Sequence, residues 1–223
     1  MSDMPRRLVA EAVGSFFLFA GVIGSGIMAE NLAGGNDAVA LIANTGATGA
    51  ILFVLITMLG PISGCHINPA VTLAMALRRE IGPRDAGLYV AIQLAAGVAA
   101  AWAVHLMFEV PILQFSEKAR TGTGQWAGEF IATFGLVLTI VGTLRYRPQA
   151  IAGSVALYIT AAYWFTSSTS FANPAITVAR SLSDSFSGIA PADVPGFVAA
   201  QLAGAVMAVV LGRWLFAPEE AAA

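Results

Sequence analysis

Charged residues are scarce in this chain of 223 residues, where Asp, Glu, Lys and Arg together make up 11% of the sequence. An ordinary soluble domain carries about 25% charged residues. With 57% hydrophobic residues as well, the chain is too apolar for that class, and we predict an integral membrane protein. The formal net charge of -2 is small, so it indicates neither a nucleic-acid partner nor an acidic one.

Cysteine and histidine, which hold metals and perform catalysis, are also scarce. The single cysteine, Cys65, excludes an internal disulfide and any cysteine-cluster metal site. His66 and His105 are the two histidines. As a metal ligand, His66 has no partner in the sequence. We expect His66 to be neutral and hydrogen-bonded, and His105 to lie at the membrane interface. Because no nucleophile, base and orienting group cluster by spacing, we predict no enzyme activity, no metal and no cofactor.

The charged residues that are present divide the sequence into long apolar runs. The runs 12–29, 86–108, 130–144 (with a helix start near Gln125) and 194–212 each provide one helical span, since about 20 helical residues cross a bilayer core of about 30 Å. The runs 38–77 and 148–179 are too long for one span. Each is predicted to hold a full span and a shorter second helix.

A doubled motif lies in these two overlong runs. The chain reads Asn68-Pro69-Ala70 in one and Asn173-Pro174-Ala175 in the other. Asn is a preferred N-cap and Pro is favoured at the first helical position, so both copies should begin helices. A helix that begins inside an apolar run leaves backbone N–H groups unpaired, which is tolerated at membrane depth only where it is buried or lines a cavity. We predict two re-entrant half-helices, each about 15 Å long.

The two halves of the chain repeat each other, as Glu11 and Gln93 recur as Glu129 and Gln201. We predict one membrane domain over 1–223, with repeats at about 8–108 and 125–216. Each repeat has three spans, an odd number, so the repeats are inverted and the half-helices meet at the midplane. Small residues around Gly97 and Gly204 favour close helix packing.

The distribution of basic residues predicts the orientation in the membrane, because cytoplasmic loops are enriched in Lys and Arg. With both termini in the cytoplasm, eight basic residues lie on the cytoplasmic side and three on the opposite side. The eight are Arg6, Arg7, Arg78, Arg79, Arg84, Arg145, Arg147 and Arg213, and the three are Lys118, Arg120 and Arg180. We therefore predict cytoplasmic N- and C-termini.

Facing half-helix N-termini create a partly positive constriction at which Asn68 and Asn173 offer amide donors. Such a constriction suits neutral solutes, repels cations and interrupts proton transfer along a water column. The alternative is that each Asn-Pro pair only caps a helix in a bundle without a pore.

The doubled motif and the paired Glu and Gln residues resemble the major intrinsic proteins, that is, the aquaporins and aquaglyceroporins. The resemblance implies an all-α right-handed bundle of six transmembrane helices and two half-helices, with one pore per subunit, in a homotetramer in the cell membrane. It implies that Glu11 and Glu129 brace the re-entrant loops; the alternative is a solvated carboxylate at the interface. It places Cys65 and His66 at the cytoplasmic pore mouth, where Cys65 is either a site of mercurial block or a small packed residue.

In this family four positions form the outer selectivity filter. One lies 20 residues before the first motif's asparagine, which gives Thr48. The other three lie 12 before, 3 before and 3 after the second asparagine, which gives Ala161, Ser170 and Ile176. Water-selective members carry a bulky aromatic, a histidine and an arginine among these positions. Here Ile176 replaces the arginine and the others are small. The chain is therefore similar to bacterial aquaglyceroporins associated with arsenic resistance, and the resemblance implies a wide filter that passes water, glycerol-like polyols and metalloid hydroxides such as arsenite and antimonite.

Arg180 lies one helical turn beyond Ile176, and two interpretations of it remain open. It is either a barrier cation displaced into the outer vestibule or an arginine that extends to the lipid headgroups. Three functional alternatives also remain: a water-selective aquaporin with an atypical filter, a gradient-coupled transporter and a non-conducting membrane protein. The scarcity of ionisable residues within the spans disfavours the transporter.

Overall fold

The computed structural model describes residues 3–217, and these contain helices and no strands. Eight α-helices are present in this range. They are α1 (Met4–Leu32), α2 (Asp37–Ser63), α3 (Pro69–Leu77), α4 (Pro83–Met107), α5 (Thr123–Tyr146), α6 (Ile151–Phe165), α7 (Pro174–Ser181) and α8 (Val194–Leu215). Short 3-10 helices at Pro148–Ala150 and Pro191–Asp193 lead into α6 and α8. The all-α membrane fold predicted from the sequence is confirmed.

Five of the helices, α1, α2, α4, α5 and α8, are long and apolar enough to cross a membrane. The remaining one of the six predicted spans is α6. It has 15 residues, which corresponds to about 22 Å of helix. It is shorter than predicted because the chain leaves the helix at Thr166 and turns into the irregular segment that precedes α7. The short helices α3 and α7 begin at Pro69 and Pro174, as the Asn-Pro pairs predict.

The six longer helices surround the two short ones. In the first half of the chain α1 packs against α2 and α4, and in the second half α5 packs against α6 and α8. Each short helix crosses to the other half, since α3 packs against α8 and α7 packs against α4. The two halves therefore interlock through the elements that carry the Asn-Pro-Ala motifs.

Two glycines permit this close packing. A Cβ atom on Gly97 of α4 would lie 2.9 Å from the Phe19 ring, and one on Gly204 of α8 would overlap the backbone carbonyl of Phe130 in α5. The prediction of close helix contacts at Gly97 and Gly204 is confirmed. On the outside of the bundle, large apolar side chains are exposed, among them Leu106 and Leu157, each at 72%. An apolar outer surface of this kind is suited to lipid.

A candidate channel through the bundle

The two short helices meet at their N-termini. The Asn68 side chain donates a hydrogen bond from Nδ2 to the carbonyl of Ala172 at 2.7 Å, and Asn173 donates from Nδ2 to the carbonyl of Ile67 at 2.9 Å. Each asparagine thus binds the residue that precedes the other motif. The positive ends of two helix dipoles are brought together at this point.

Both asparagines also cap their own helices. Asn68 Oδ1 accepts from the Ala70 N–H at 2.8 Å, and Asn173 Oδ1 accepts from the N–H groups of Ala175 and Ile176 at 3.0 and 3.2 Å. Because the side-chain oxygen is held by the backbone, the amide nitrogen must point away from the helix, towards the other motif. The cap therefore fixes which end of each amide faces the centre.

A buried carboxylate supports the loop before the first motif. Glu11 Oε1 accepts from the Ser63 hydroxyl and the His66 N–H, and Oε2 accepts from the Ile67 N–H and the Gln93 amide, at distances of 2.7 to 2.8 Å. The side chain is fully buried. This geometry excludes the alternative of a solvated carboxylate at the interface.

The second half repeats this support. Glu129 accepts from the Phe171 and Ala172 N–H groups at 2.8 Å each and from the Gln201 amide at 2.6 Å. Gln201 also donates to the Thr177 hydroxyl, as Gln93 does to Thr72. Both glutamate–glutamine pairs therefore connect a long helix to a re-entrant loop and to the short helix that follows it.

The braced loops have an unusual backbone. Cys65 and Ile67 have φ angles of 47° and 42°, and the equivalent Ser170 and Ala172 have φ angles of 51° and 48°. A non-glycine residue in this left-handed region costs about 1–3 kcal/mol. The hydrogen bonds to the buried carboxylates offset this cost, which explains why each loop needs its glutamate.

A cavity of about 320 Å³ passes the meeting point of the short helices. At one end it reaches Arg7 and Glu80, and at the other it reaches Thr48 and Arg180. Both Asn68 and Asn173 line it. One wall is mainly aliphatic, provided by Leu18, Val22, Leu52, Ile56, Leu136, Ile140, Val155 and Ile159, whereas the polar groups come mostly from the two loops. A path with one apolar and one polar wall suits small neutral molecules that carry hydroxyl groups.

The end near the N-terminus of α1 contains the two residues predicted for the cytoplasmic mouth. His66 lines the cavity, with Nδ1 3.2 Å from the Thr72 hydroxyl and its ring packed edge-on against Tyr89. Cys65 also lines the cavity but is 6% exposed, and its thiol contacts the Leu55 carbonyl at 3.5 Å. The tight packing of Cys65 favours the interpretation as a small packed residue.

The expected position of His105 at the membrane interface stays a prediction. His105 is fully buried in the last turn of α4, and its Nδ1 is 2.9 Å from the Ile112 carbonyl. It ties the helix end to the following loop, which a count of apolar residues along the sequence does not reveal.

At the opposite end, the structure corrects one filter position. Of the four predicted filter residues, Thr48, Ser170 and Ile176 line the cavity. The fourth, Ala161, is exposed on the outside of α6. Side chains two positions apart on a helix point in directions about 200° apart. Tyr163, two residues after Ala161, therefore faces the cavity instead. Tyr163 precedes Asn173 by 10 residues, whereas the prediction used an offset of 12. The connection from α6 to α7 is thus two residues shorter than that offset assumes.

Arg180 also lines this end of the cavity, opposite the end that contains His66. Its side chain is 2% exposed, Nε donates to the carbonyl of Ser187, and Cζ lies 3.3 Å from the centre of the Phe171 ring. An arginine buried in this way does not extend to the lipid headgroups. Of the two interpretations left open by the sequence, the position beside the cavity is the one that the structure favours.

A second arginine approaches the same aromatic ring from the loop between α4 and α5. Arg120 lies with Cζ 5.0 Å from the Phe171 ring centre, donates from Nε to the Gly188 carbonyl at 2.7 Å, and does not line the cavity. Burial lowers the pKa of Arg120 from its usual range. Neither Arg120 nor Arg180 forms an ion pair within residues 3–217.

Comparison with known proteins decides the family. A family model described as "Major intrinsic protein" matches residues 1–171. The chain belongs to the major intrinsic protein family. It is 56% identical over 216 residues to aquaglyceroporin AqpS of Rhizobium meliloti (strain 1021), with 97% of this chain and 92% of the relative covered. It is 30% identical over 245 residues to aquaporin AqpM of Methanothermobacter thermautotrophicus, with 96% and 99% covered.

The fold of this major intrinsic protein also has a solved counterpart. The aquaglyceroporin from Plasmodium falciparum superposes with a TM-score of 0.74 at 18% sequence identity, over 96% of both chains. Family membership and the apolar helices show a multi-pass membrane channel for water and small solutes. Members of the family are channels and not enzymes, in agreement with the absence of grouped catalytic residues in the sequence.

Proposed function

We propose that this chain is a passive channel for water and small uncharged solutes, namely glycerol-like polyols and undissociated metalloid hydroxides such as arsenite and antimonite. The observation that carries the proposal is the cavity that passes between Asn68 and Asn173. One aliphatic wall accepts the carbon or metalloid side of such a solute, and the loops supply polar groups for its hydroxyls. The similarity to AqpS, an aquaglyceroporin, supports the polyol part of the proposal.

Protons and cations are excluded at the paired motifs. Each asparagine amide uses one N–H on the opposing carbonyl and has a second N–H in reach of the cavity that it lines. These donors and the two helix N-termini orient a passing water with its oxygen towards the asparagines, which interrupts proton transfer from water to water. The same positive ends repel cations.

The metalloid part of the proposal depends on the residue at position 176. Ile176 lines the outer end of the cavity and carries no charge, so the filter position that holds arginine in water-selective relatives is apolar here. A neutral trihydroxide has the size and hydroxyl arrangement of glycerol, and it meets the same aliphatic wall. The channel should therefore admit both, driven by concentration alone.

For assembly and orientation we propose a homotetramer in the cell membrane, with both termini in the cytoplasm. The support is the exposed apolar surface of the bundle and the basic residues at one end. Arg213 near the end of α8 donates to the Leu77 carbonyl at the end of α3, so Arg213 lies on the same side of the molecule as Arg78 and Arg79, which follow α3. Lys118 and Arg120 donate to the carbonyls of Phe186 and Gly188, in the loop that precedes α8.

A water-selective channel is the second candidate, because Tyr163 and Arg180 both line the outer end. Their bulk narrows it relative to the small residues that the sequence predicted. A gradient-coupled transporter is disfavoured, because the buried acids Glu11 and Glu129 hold backbone N–H groups through both of their oxygens.

The test is stopped-flow light scattering on proteoliposomes with water, glycerol and arsenous acid in parallel, with empty liposomes as the control. The proposal expects all three to cross faster than in empty liposomes, with no effect of a proton or sodium gradient. Water flux without glycerol flux identifies the water-selective channel. A solute flux that follows an imposed ion gradient would identify the transporter.

A further inference from the structure

Matching aromatic pairs support the two re-entrant loops, residues 64–68 before α3 and residues 166–173 before α7. Tyr89 in α4 and Phe197 in α8 each lie one helical turn before the glutamine that bonds the buried carboxylate, and both are fully buried. Tyr89 packs edge-on against His66, with the ring centres 5.2 Å apart. Phe197 packs edge-on against Phe171, with the ring centres 5.1 Å apart. Tyr89 and Phe197 therefore occupy equivalent places in the two halves of the chain.

The two halves differ in one hydrogen bond made from this place. The Tyr89 hydroxyl donates to the Ser63 carbonyl at 2.9 Å. Ser168 is the equivalent of Ser63, since each precedes its motif by the same number of residues and each accepts a backbone N–H at its hydroxyl. Phe197 has no hydroxyl, so it cannot make the corresponding bond to the Ser168 carbonyl.

Arg120, in the loop between α4 and α5, makes this bond instead. Its Nη1 donates to the Ser168 carbonyl at 3.3 Å, and its Nε donates to the Gly188 carbonyl at 2.7 Å. Ser168 precedes α7 in the chain, and Gly188 follows it. One buried guanidinium thus connects the segments on both sides of this half-helix.

The backbone around Arg120 is itself attached to the second half of the chain. The Arg120 N–H donates to Asp193 Oδ2 at 2.7 Å, and the Lys118 carbonyl accepts from the Ala190 N–H at 2.7 Å. Asp193 and Ala190 lie in the segment that leads into α8. These bonds hold the Arg120 backbone in place, so the guanidinium is presented to the Ser168 carbonyl by a fixed segment.

We propose that Arg120 is a positioning residue for the second re-entrant loop, with the role there that the Tyr89 hydroxyl has in the first. Arg120 acts on the channel through Phe171, because Arg120 Cζ lies 5.0 Å from the centre of the Phe171 ring and Phe171 lines the cavity. Phe171 is followed closely by Asn173, so the position of the loop determines the position of the motif. The inference goes beyond the proposed channel function, since it concerns what holds the channel wall and not which solute crosses.

The test is a rescue by the residue type of the other half. Arg120→Met removes the donors and keeps an unbranched side chain, and Phe197→Tyr in the same chain offers a hydroxyl to the Ser168 carbonyl from α8. The readout is hydrogen–deuterium exchange of the full chain in detergent, followed in the peptide that contains the Phe171 amide. Arg120→Met loses hydrogen bonds from a charged donor and should speed exchange in this peptide about tenfold. The double variant should return the exchange rate to that of the unmodified chain.

Water flux in proteoliposomes gives a second readout, measured by stopped-flow light scattering. Arg120→Met should show a partial loss of water permeability, because the loop that carries Asn173 is no longer held in place. Addition of Phe197→Tyr should restore the permeability. Failure of the proposed channel function is a different result, in which the unmodified chain shows no flux above empty liposomes while the exchange measurement still tests the inference.

Arg84→Met is the matched control, because Arg84 is exposed at the start of α4 and the substitution is the same. Its exchange and flux should equal those of the unmodified chain. The peptide around Ser63 in the first re-entrant loop reports on the rest of the fold and should be unchanged in every variant. The inference is overturned if Arg120→Met leaves exchange around Phe171 unchanged or speeds exchange around Ser63 equally. It is also overturned if the double variant, with normal exchange around Ser63, remains as fast around Phe171 as Arg120→Met alone.

Discussion

Gln201 donates to Glu129 at 2.6 Å in the second half of the chain, just as Gln93 donates to Glu11 at 2.8 Å in the first. Each glutamine also contacts the threonine in the first turn of the short helix, Thr177 or Thr72. The buried carboxylates are therefore part of a network that positions the motifs, and they are not free to carry protons through the channel.

Glu129→Gln should destabilise the protein. The amide places an N–H group against the backbone donors of Phe171 and Ala172, which now meet one acceptor in place of two. An unpaired buried donor costs about 1–3 kcal/mol. We expect a lower midpoint of thermal unfolding in detergent, and the same for Glu11→Gln. The control is Glu117→Gln, at an exposed position in the loop between α4 and α5. Equal midpoints for Glu129→Gln and Glu117→Gln would contradict the bracing role.

Asn173→Asp tests proton exclusion. Aspartate still accepts from the Ala175 and Ile176 N–H groups, so the helix cap is kept, but it cannot donate to the Ile67 carbonyl and it adds a negative charge at the constriction. We expect proton leakage to rise above the level of the unmodified chain, measured with a pH-sensitive dye in liposomes under a potassium diffusion potential.

The control for this prediction is Asn36→Asp. Asn36 caps α2 through hydrogen bonds from the Ala38 and Val39 N–H groups and lies away from the cavity. The same change of residue at another helix cap should leave proton permeability unchanged. If liposomes with Asn173→Asp kept the proton permeability of the unmodified chain and a normal water flux, the asparagine amides would not be the proton barrier.

The sequence predicts the helices and the centre of the channel well, because those features depend on local chemistry. An Asn-Pro pair favours a helix start, and the family resemblance implied that Glu11 and Glu129 support the loops. The outer filter is different. Counting back 12 residues from Asn173 gives Ala161, which lies outside the cavity. The count fails because the length of the α6–α7 connection is set by how the loop folds against Glu129. The burial of Arg180 depends on Phe171 and Ser187, which no spacing along α7 reveals.

Gly204→Ala should also lower stability, for a steric reason. The added methyl group would overlap the Phe130 carbonyl, which belongs to the backbone of α5 and cannot rotate away. Forcing extra volume into a packed interface costs about 1–3 kcal/mol. The control is Gly87→Ala in α4, where a Cβ atom meets nothing within 4 Å. Thermal unfolding in detergent should show a lower midpoint for Gly204→Ala and an unchanged or higher one for Gly87→Ala, since alanine favours helix. Two equal midpoints would contradict the close α5–α8 contact.

Tyr163 and Ala161 together test which face of α6 limits solute size. Tyr163→Ala removes a ring from the outer end of the cavity, so a four-carbon polyol such as erythritol should gain permeability relative to water. Ala161→Leu adds bulk at an exposed position outside the cavity. The permeability to water and to erythritol should therefore stay as in the unmodified chain. The measurement is stopped-flow light scattering with water, glycerol and erythritol. If Ala161→Leu narrowed the channel and Tyr163→Ala left it unchanged, the 12-residue offset would hold and α6 would have to be rotated by about half a turn.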